Sequence, residues 1–340
     1  MRNRFQGVLM ATVVVVALAA TLSTVPTTAA QSSHQAPHAT PHATDVPRTS
    51  WGEPDLSGIW DFRTMTPLER PDELAGKEVL TDDEAAEYER TRLATLDKDR
   101  RVADGISVAQ DVRNAYNQFW WDYGTKLTED KRTSLIVDSP DGRIPPLTPP
   151  AQKRADARRK ARQRPPHGPE DRNLWERCIL ASNAGPPMNP SVYNNNVQLV
   201  QTPGYVVILN EMIHDARIVP MDGRPHLPQN IRLWRGDSRG RWEGDTLVVD
   251  TTNFTGKTSF RGSGPGMHLV ERFTRVDADT LLYEYTLDDP ESFESTWSAA
   301  VPMTKTEGPM FEYACHEGNY AMTNLLLGAR AQDAAKAKDK

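Results

Sequence analysis

The chain has 340 residues, of which 40 are basic and 46 acidic, so its formal net charge at pH 7 is −6. This balance argues against a general polyanion binder, because phosphate backbones require clustered positive charge. About 290 residues follow the N-terminal region, enough for one large β domain or two small ones.

The N-terminal region has the order of a secretory signal peptide. Arg2 and Arg4 precede an uncharged run over residues 7–20, and small residues continue to Ala30. This pattern predicts a signal peptide over residues 1–30, cleaved after Ala30, and a periplasmic or secreted location. An uncleaved anchor is the alternative, although the apolar run of about 14 residues is shorter than the roughly 20 that span a bilayer.

The rest of the chain divides by composition. Residues 31–50 are rich in His, Pro, Ser and Thr, which predicts a disordered tether. Residues 51–330 are predicted to form a single β-rich domain, and the Ala- and Lys-rich residues 331–340 a frayed tail.

The first strand is predicted over Asp55 to Phe62. Its Gly58-Ile59-Trp60 resembles the start of lipocalin-like barrels, in which the Trp closes one end. An ordinary strand with a Trp in the core is the alternative interpretation.

Two helical insertions and one hairpin are predicted before the middle of the chain. A capping box, Thr81 with Glu84, begins a charged exposed helix over about 81–103. A turn at Ser139-Pro-Asp-Gly142 predicts a hairpin between 133–137 and 143–146. The basic residues 151–164 predict a second helix, which we interpret as solvated because it has no apolar face; contact with acidic partners or lipid head groups is the alternative.

The aromatic residues are densest over 117–123. They favour a small core beneath the first helix, and a site for a sugar or lipid is the alternative.

The strongest hairpin signal lies at residues 193–226. Val197–Gln201 and Tyr205–Leu209 are rich in β-forming residues and are separated by Thr202-Pro203-Gly204, so we expect them to pair antiparallel.

Short β-type runs continue to the end of the domain, separated by Gly, Asp or Pro: 231–234, 241–250, 268–276, 281–287, 296–304 and 309–315. Tight reversals are expected at 243–245 and 277–279. In the run 281–287, Leu281, Tyr283, Tyr285 and Leu287 share one side. The spacing predicts a mainly β fold, an antiparallel meander closing into a lipocalin-like barrel or a sandwich, with helical insertions.

The only two cysteines, Cys178 and Cys315, predict a disulfide in an exported chain. A reactive Cys315 beside His316 is the alternative.

Candidate catalytic residues follow the central hairpin. Carboxylate beside imidazole is the usual arrangement of a general base, so we interpret His214 as the base and Asp215 as its orienter. Arg217 is the candidate anion or oxyanion partner, His316 a second acid, and Glu211 a further catalytic carboxylate. An Asp215–Arg217 ion pair with a surface His214 is the alternative.

Candidate ligand-binding residues carry amide, hydroxyl, imidazole and carboxylate groups suited to a hydroxyl-rich ligand: Asn194, Asn195, Asn196, His226, Tyr313 and Glu317. The asparagines are equally typical of turns. Glu211, His214, His226 and His316 contain metal-ligand types, but no recognised spacing is present, so neither a metal nor another cofactor is predicted.

Other chemistries find no support in the sequence. A phosphate-binding Gly-rich loop and a Gly-x-Ser-x-Gly elbow are both absent from it. A glycosidase pair formed by Glu271 and Glu284 is unsupported, because nothing in the sequence sets their separation.

Several segments resemble a group of exported bacterial proteins, mostly uncharacterised: DLSGIW, NEMIHDARIVPMDGRPH, GRWEGDTLVVDTTNF and YACHEGNY. The resemblance spans residues 55–324 and implies an extracytoplasmic location and a β-rich body. It implies no catalytic residue.

The leading hypothesis is an extracytoplasmic small-molecule protein with a polar site at a barrel mouth. It would bind or transform a glycoside, terpenoid or aromatic compound by His and carboxylate acid–base chemistry, as a metal-independent lyase, isomerase or hydrolase if it is an enzyme. The alternative is a non-catalytic ligand-binding or structural envelope protein. Neither nucleic acid nor a membrane span after signal cleavage is expected.

Overall fold

The structure is a computed structural model and describes residues 46–97 and 121–338. The predicted signal peptide, most of the predicted tether, the end of the predicted first helix and residues 117–120 of the aromatic cluster lie outside the described residues.

Nine antiparallel strands form the body of the protein. They are β1 Gly58–Asp61, β2 Asn196–Thr202, β3 Tyr205–Asn210, β4 Asp215–Pro220, β5 Asp237–Glu243, β6 Thr246–Thr252, β7 His268–Arg275, β8 Thr280–Asp288 and β9 Trp297–Thr306.

The sheet is a meander that nearly closes into a barrel, as predicted. Its spatial order is β4-β3-β2-β1-β9-β8-β7-β6-β5, and β1 joins the two halves by pairing with both β2 and β9. The edge strands β4 and β5 approach each other where Gly240 leaves room for neighbouring side chains. A Cβ at Gly240 would lie 2.2 Å from Met221 Sδ and 3.0 Å from Val219 Cγ1, so a larger residue would require these side chains to move.

Alternation along the strands sends apolar side chains into the barrel. In β8, Leu281, Tyr283, Tyr285 and Leu287 are fully buried, and the residues between them are partly exposed, as the sequence predicts. At one end of the interior, Arg275 lies over the ring of Trp60 at 5.5 Å and donates to the carbonyl of Asp55 at 2.6 Å.

The barrel interior is filled by a segment that precedes β2. Residues 183–189, Asn-Ala-Gly-Pro-Pro-Met-Asn, are all buried, and we call this segment the plug. The amide of Met188 donates to the Tyr283 hydroxyl at 3.0 Å, and the Tyr285 hydroxyl donates to Asn189 Oδ1 at 2.8 Å. The plug therefore supplies the acceptor for the buried Tyr285 hydroxyl and a further hydrogen bond to the Tyr283 hydroxyl.

Three α-helices lie outside the sheet in the described residues: α1 Asp82–Leu96, α2 Pro149–Gln163 and α3 Tyr320–Lys338. The predicted capping box of α1 is present, because the Thr81 side chain accepts from the Glu84 amide and Glu84 accepts from the Thr81 amide. Helix α3 continues to Lys338, through residues predicted to fray.

The hairpin predicted over residues 133–146 and two further predicted strands do not form. Residues 133–137 do not pair with 143–146: Leu135 accepts from the amide of Ala300 and Val137 donates to Ser298, so this segment joins β9 beyond the end of β1. Residues 231–234 make only an isolated bridge at Leu233, and residues 309–315 form no strand. These segments instead contact residues distant in the sequence or remain in loops, so the expected pairing with neighbouring segments is absent.

The predicted disulfide between Cys178 and Cys315 is present, with its Cα atoms 5.7 Å apart across a sequence separation of 137. It ties the segment before the plug to the segment before α3 and leaves no free thiol on Cys315. No helix in residues 46–97 or 121–338 is long and apolar enough to cross a membrane.

Candidate functional site

A groove of about 1030 Å³ lies at one mouth of the barrel. Its walls are α2, residues 170–182 and the loop of residues 256–262, and its floor includes Pro186 and Pro187 of the plug. Phe260, also in the groove lining, stacks on Trp297 with ring centroids 6.1 Å apart, which places the floor directly on the barrel core. A volume of this size accommodates a drug-sized molecule.

The loop of residues 256–262, which forms one wall of the groove, packs closely against Leu147. Gly262 has φ +113°, and a Cβ there would lie 2.6 Å from Leu147 Cδ2. A residue with a side chain would therefore meet both backbone strain and a clash, so glycine fixes the loop against the segment that leads into α2.

Aromatic rings continue the groove at its outer end. Trp175 lines the groove, is 42% exposed, and donates from Nε1 to the Tyr313 hydroxyl at 3.3 Å. Tyr193 stacks on Tyr313 with centroids 6.3 Å apart and also contacts Trp121 at 6.3 Å. Tyr313, predicted to bind ligand, thus adjoins the groove through Trp175.

Positive charge dominates the groove lining. Two acidic residues, Glu170 and Asp171, meet seven basic ones: Arg158, Arg159, Arg162, Arg172, Arg177, Lys257 and Arg261. Three of the basic residues have carboxylate partners, because Arg159 pairs with Asp156, Arg172 with Glu176 and Arg177 with Glu170. Among the described residues, the other four form no ion pair.

Arg158 is the most constrained of these four. It is partly buried and donates to the carbonyl of Gly256 at 3.2 Å, across the groove from its helix. Burial, and then the neighbouring charges of Arg154 and Arg162, lower the pKa of the Arg158 guanidinium. The three arginines recur every fourth residue on α2 and so lie on one face of the helix.

The helix predicted over residues 151–164 is mostly exposed, and its start contacts the rest of the domain. Ala151 is completely buried, and Arg154 donates to Ser292 Oγ at 2.7 Å, so α2 packs against the turn that precedes β9. In the sequence, the four-residue spacing of Arg154, Arg158 and Arg162 already indicates that one face of this helix is positively charged.

Glu211 and Asn196 act together as a structural clamp. Glu211 is 2% exposed and accepts from Asn196 Nδ2 at 2.8 Å and from the amide of Phe311 at 2.9 Å. These contacts hold the chain after β9 against the central hairpin. Both residues are occupied by the fold, and no contact supports the predicted catalytic role of Glu211.

The other two asparagines also order the backbone. Asn195 is fully buried and donates to the carbonyls of Asp122 and Ser191 at 2.7 and 2.9 Å. The carbonyl of Asn194, a residue with φ 55°, accepts from Asn183 of the plug at 3.0 Å. Both residues therefore make contacts that hold the chain leading into β2.

Asp215 and Arg217 do not join His214. Asp215 pairs with Arg235 at 2.8 Å, and the Arg217 guanidinium lies inside the barrel against Glu271. His214, at φ 52° in the turn before β4, is exposed. The predicted base, orienter and oxyanion partner are therefore separated, because His214 lies in the turn before β4, Asp215 lies at the exposed end of that strand, and Arg217 lies further along it inside the barrel.

Arg217 belongs instead to a buried polar cluster. Its two terminal nitrogens both donate to Glu271, one of them at 2.8 Å, and the Tyr283 hydroxyl donates to Glu271 at 2.8 Å. Burial opposes the charged form of Arg217, but the Glu271 charge and hydrogen bonds raise its pKa overall. Burial, and then the Glu271 charge, raise the pKa of Tyr283 well above its usual value.

Glu271 and Glu284 cannot act as a carboxylate pair. Glu271 is opposite Tyr285, and Glu284 is opposite Arg272 one position along the same strands. Adjacent positions point to opposite faces, so Glu271 is inside and Glu284 outside the barrel.

His226 lies in a different cluster, on the outer face of β5–β7. Its Nδ1 is 3.0 Å from Asp237 Oδ2 and its Nε2 is 3.0 Å from Asp250 Oδ1. The other oxygen of Asp250 is 2.9 Å from His268 Nε2. That hydrogen bond lowers the pKa of Asp250 and raises the pKa of His268. Asp250 and His268 were not identified from the sequence, because they lie 24 and 42 positions from His226.

His316 and Glu317 are exposed beside the disulfide. No hydrogen bond or ion pair among the described residues joins His316, His214 and His226 to one another, and none of the three lines the groove. No group of three or more His, Cys, Asp or Glu side chains in the described ranges is arranged to hold a metal ion. The catalytic and ligand-binding roles of these residues stay predictions.

Comparison with known proteins adds no further identification. No family model matches the chain, and neither a curated protein nor a solved structure matches it. The fold and the groove therefore define the class: a disulfide-bonded, barrel-like β protein with an open cavity at one mouth.

Proposed function

We propose that this protein binds a small molecule with a flat apolar face in the groove, outside the cytoplasm. The observation that supports the proposal is the groove itself, about 1030 Å³ in volume, with Phe260, Pro186 and Pro187 in its lining. Aromatic and terpenoid compounds have flat or rigid apolar faces that pack on such a surface.

Because the barrel interior is filled, the groove at the barrel mouth is the favoured site for a ligand. Buried apolar side chains, mostly from the strands and with Met188 of the plug among them, fill the interior as one core, so binding would use the groove at its mouth. The disulfide supports an extracytoplasmic location, because structural disulfides persist in oxidising compartments. A signal peptide over residues 1–30 would deliver the chain there.

The binding proposal is tested with N-phenyl-1-naphthylamine, a neutral dye whose fluorescence rises in apolar surroundings. Ser182 lines the groove and is exposed, so Ser182→Trp fills the cavity without entering the core. We expect this variant to weaken dye binding by about tenfold or more, which corresponds to about 1.4 kcal/mol.

Ser50→Trp is the matched control, since Ser50 is exposed and lies outside the groove. It should bind the dye within about twofold of the unaltered protein. Absence of saturable dye binding to the unaltered protein, or equal weakening by both substitutions, would refute the groove as the binding site.

A second candidate function is acid–base catalysis at the outer cluster. Asp250 orients His268, and no partner is found for His268 Nδ1 among the described residues. A carboxylate-oriented imidazole is a suitable general base. Turnover of aryl esters that follows His268 ionisation and disappears in His268→Gln would support it; turnover unchanged by that substitution would exclude it.

A further inference from the structure

Four cations of the groove have no acidic partner among the described residues, and they are divided between two of its walls. Arg158 and Arg162 lie on α2, and Lys257 and Arg261 lie on the loop of residues 256–262. The Arg158 contact to the Gly256 carbonyl fixes how closely the two walls approach. Positive charge is therefore concentrated on both sides of an apolar floor.

This arrangement is unfavourable in the empty groove. Arg154, Arg158 and Arg162 repel one another, and burial of Arg158 removes part of the water that would screen that repulsion. Several surface arginines elsewhere are neutralised by carboxylates, as in the pairs Arg63–Asp122 and Arg241–Glu243. The missing counter-charge in the groove is the feature that a bound anion would supply.

The unpaired arginines are not needed to hold α2 in place. The helix is attached by the Thr148 cap, by the buried Ala151 and by the Arg154–Ser292 hydrogen bond. Arg162 is exposed and makes no hydrogen bond or ion pair with another described residue. A structural role therefore leaves Arg158 and Arg162 largely unexplained.

We propose that the groove selects an organic oxyanion, with its carboxylate, sulfate or phosphate between Arg158 and Arg162 and the facing loop. Guanidinium groups bind these oxyanions through paired hydrogen bonds. The apolar part of the ligand lies on Phe260 and the two plug prolines, with Trp175 at its outer end. The inference rests on the groove being the binding site and names the class of ligand that it takes.

The experiment compares two dyes that differ by one anionic group: 1-anilinonaphthalene-8-sulfonate and the neutral N-phenyl-1-naphthylamine. We expect the sulfonate to bind about tenfold more tightly. Its affinity should fall as sodium chloride rises from 50 to 500 mM, on the order of a few-fold, while that of the neutral dye stays nearly constant.

The double variant Arg158→Gln/Arg162→Gln should lower sulfonate affinity to about that of the neutral dye, which removes most of the expected tenfold preference. The matched control is Lys153→Gln/Lys160→Gln, which removes the same charge from exposed positions of α2 outside the groove lining. Thermal unfolding verifies that each variant is folded. The single variant Arg162→Glu, at an exposed position, provides a second measurement of the sulfonate preference, which it should reduce.

Each outcome distinguishes the two proposals. Equal binding of both dyes, or equal loss in the arginine and lysine variants, would overturn the anion site and leave the binding groove intact. Failure of both dyes to bind would overturn the groove proposal as well. A sulfonate preference that disappears only in the arginine variants supports the inference.

Discussion

Arg217 in the barrel interior is buried and Arg158 at the groove wall is partly buried, yet the two arginines have different partners. Arg217 meets Glu271 with two hydrogen bonds, and Tyr283 occupies the remaining side of the same carboxylate. Arg158 meets a backbone carbonyl and two further arginines. A fully paired buried charge belongs to the fold, whereas an unpaired cation beside a cavity is available to a ligand.

The largest expected effect on stability comes from removing the counter-ion of Arg217. Glu271→Gln leaves a buried guanidinium without its carboxylate, so we expect the free energy of unfolding to fall by about 3–5 kcal/mol. Urea denaturation measures the change. The double variant Arg217→Met/Glu271→Leu should recover most of the loss because it buries no charge.

Arg158→Gln provides the contrast on the groove side. It removes a like-charge contact and a single hydrogen bond to the Gly256 carbonyl but no ion pair, so the free energy of unfolding should change by no more than about 1 kcal/mol. Comparable destabilisation by Glu271→Gln and Arg158→Gln would mean that both arginines are structural.

Removing the disulfide tests whether the groove wall formed by residues 170–182 depends on its link to a distant part of the chain. Cys178→Ser/Cys315→Ser should lower the free energy of unfolding by about 2–4 kcal/mol, because the bridge restricts a long loop of the unfolded chain. Hydrogen exchange should rise in residues 170–182, next to Cys178, more than in β7 and β8. Uniform exchange in all these segments would contradict the local effect.

The smallest expected effect concerns pH. The pKa of His268 is raised in the folded protein, so its contribution to stability is complete below its usual value of 6.5 and is lost as pH rises through the folded value. The pKa of Asp250 is lowered, so its contribution is present above 3.8 and is lost as pH falls through the folded value. The Asp250–His268 contribution is therefore greatest between those two pH values.

His268 is 40% exposed, so solvent screens the interaction and the effect should be below about 1 kcal/mol. Urea denaturation between pH 5 and 9 measures it against His268→Gln, which should lose stability less steeply above pH 6.5. Identical pH profiles for the two proteins would contradict the assignment.

Local patterns predicted the barrel because its strands are consecutive and alternate clearly. The two-residue connection after Thr202 and the alternation of β8 both follow from nearby residues. The plug was not predicted: Gly-Pro-Pro is typical of a surface turn, and nothing local indicates that the barrel encloses it.

The candidate site was harder to predict, since its side chains converge from distant parts of the chain. The neighbours Glu211, His214 and Arg217 suggested one catalytic group, but strand alternation and the turn before β4 separate them. Arg217 finds its partner 54 positions away in Glu271. The groove joins α2, the plug and the loop of residues 256–262, a combination that no single pattern contains.

The plug has a consequence for how such proteins could diverge. One side of it completes the core by bonding to Tyr283 and Tyr285, and Pro186 and Pro187 present another side to the groove. Stability and ligand choice thus reside largely in different residues of the same molecule. Substitutions in α2 and in the facing loop can alter which compounds are accepted while the strands continue to fold around an unchanged centre.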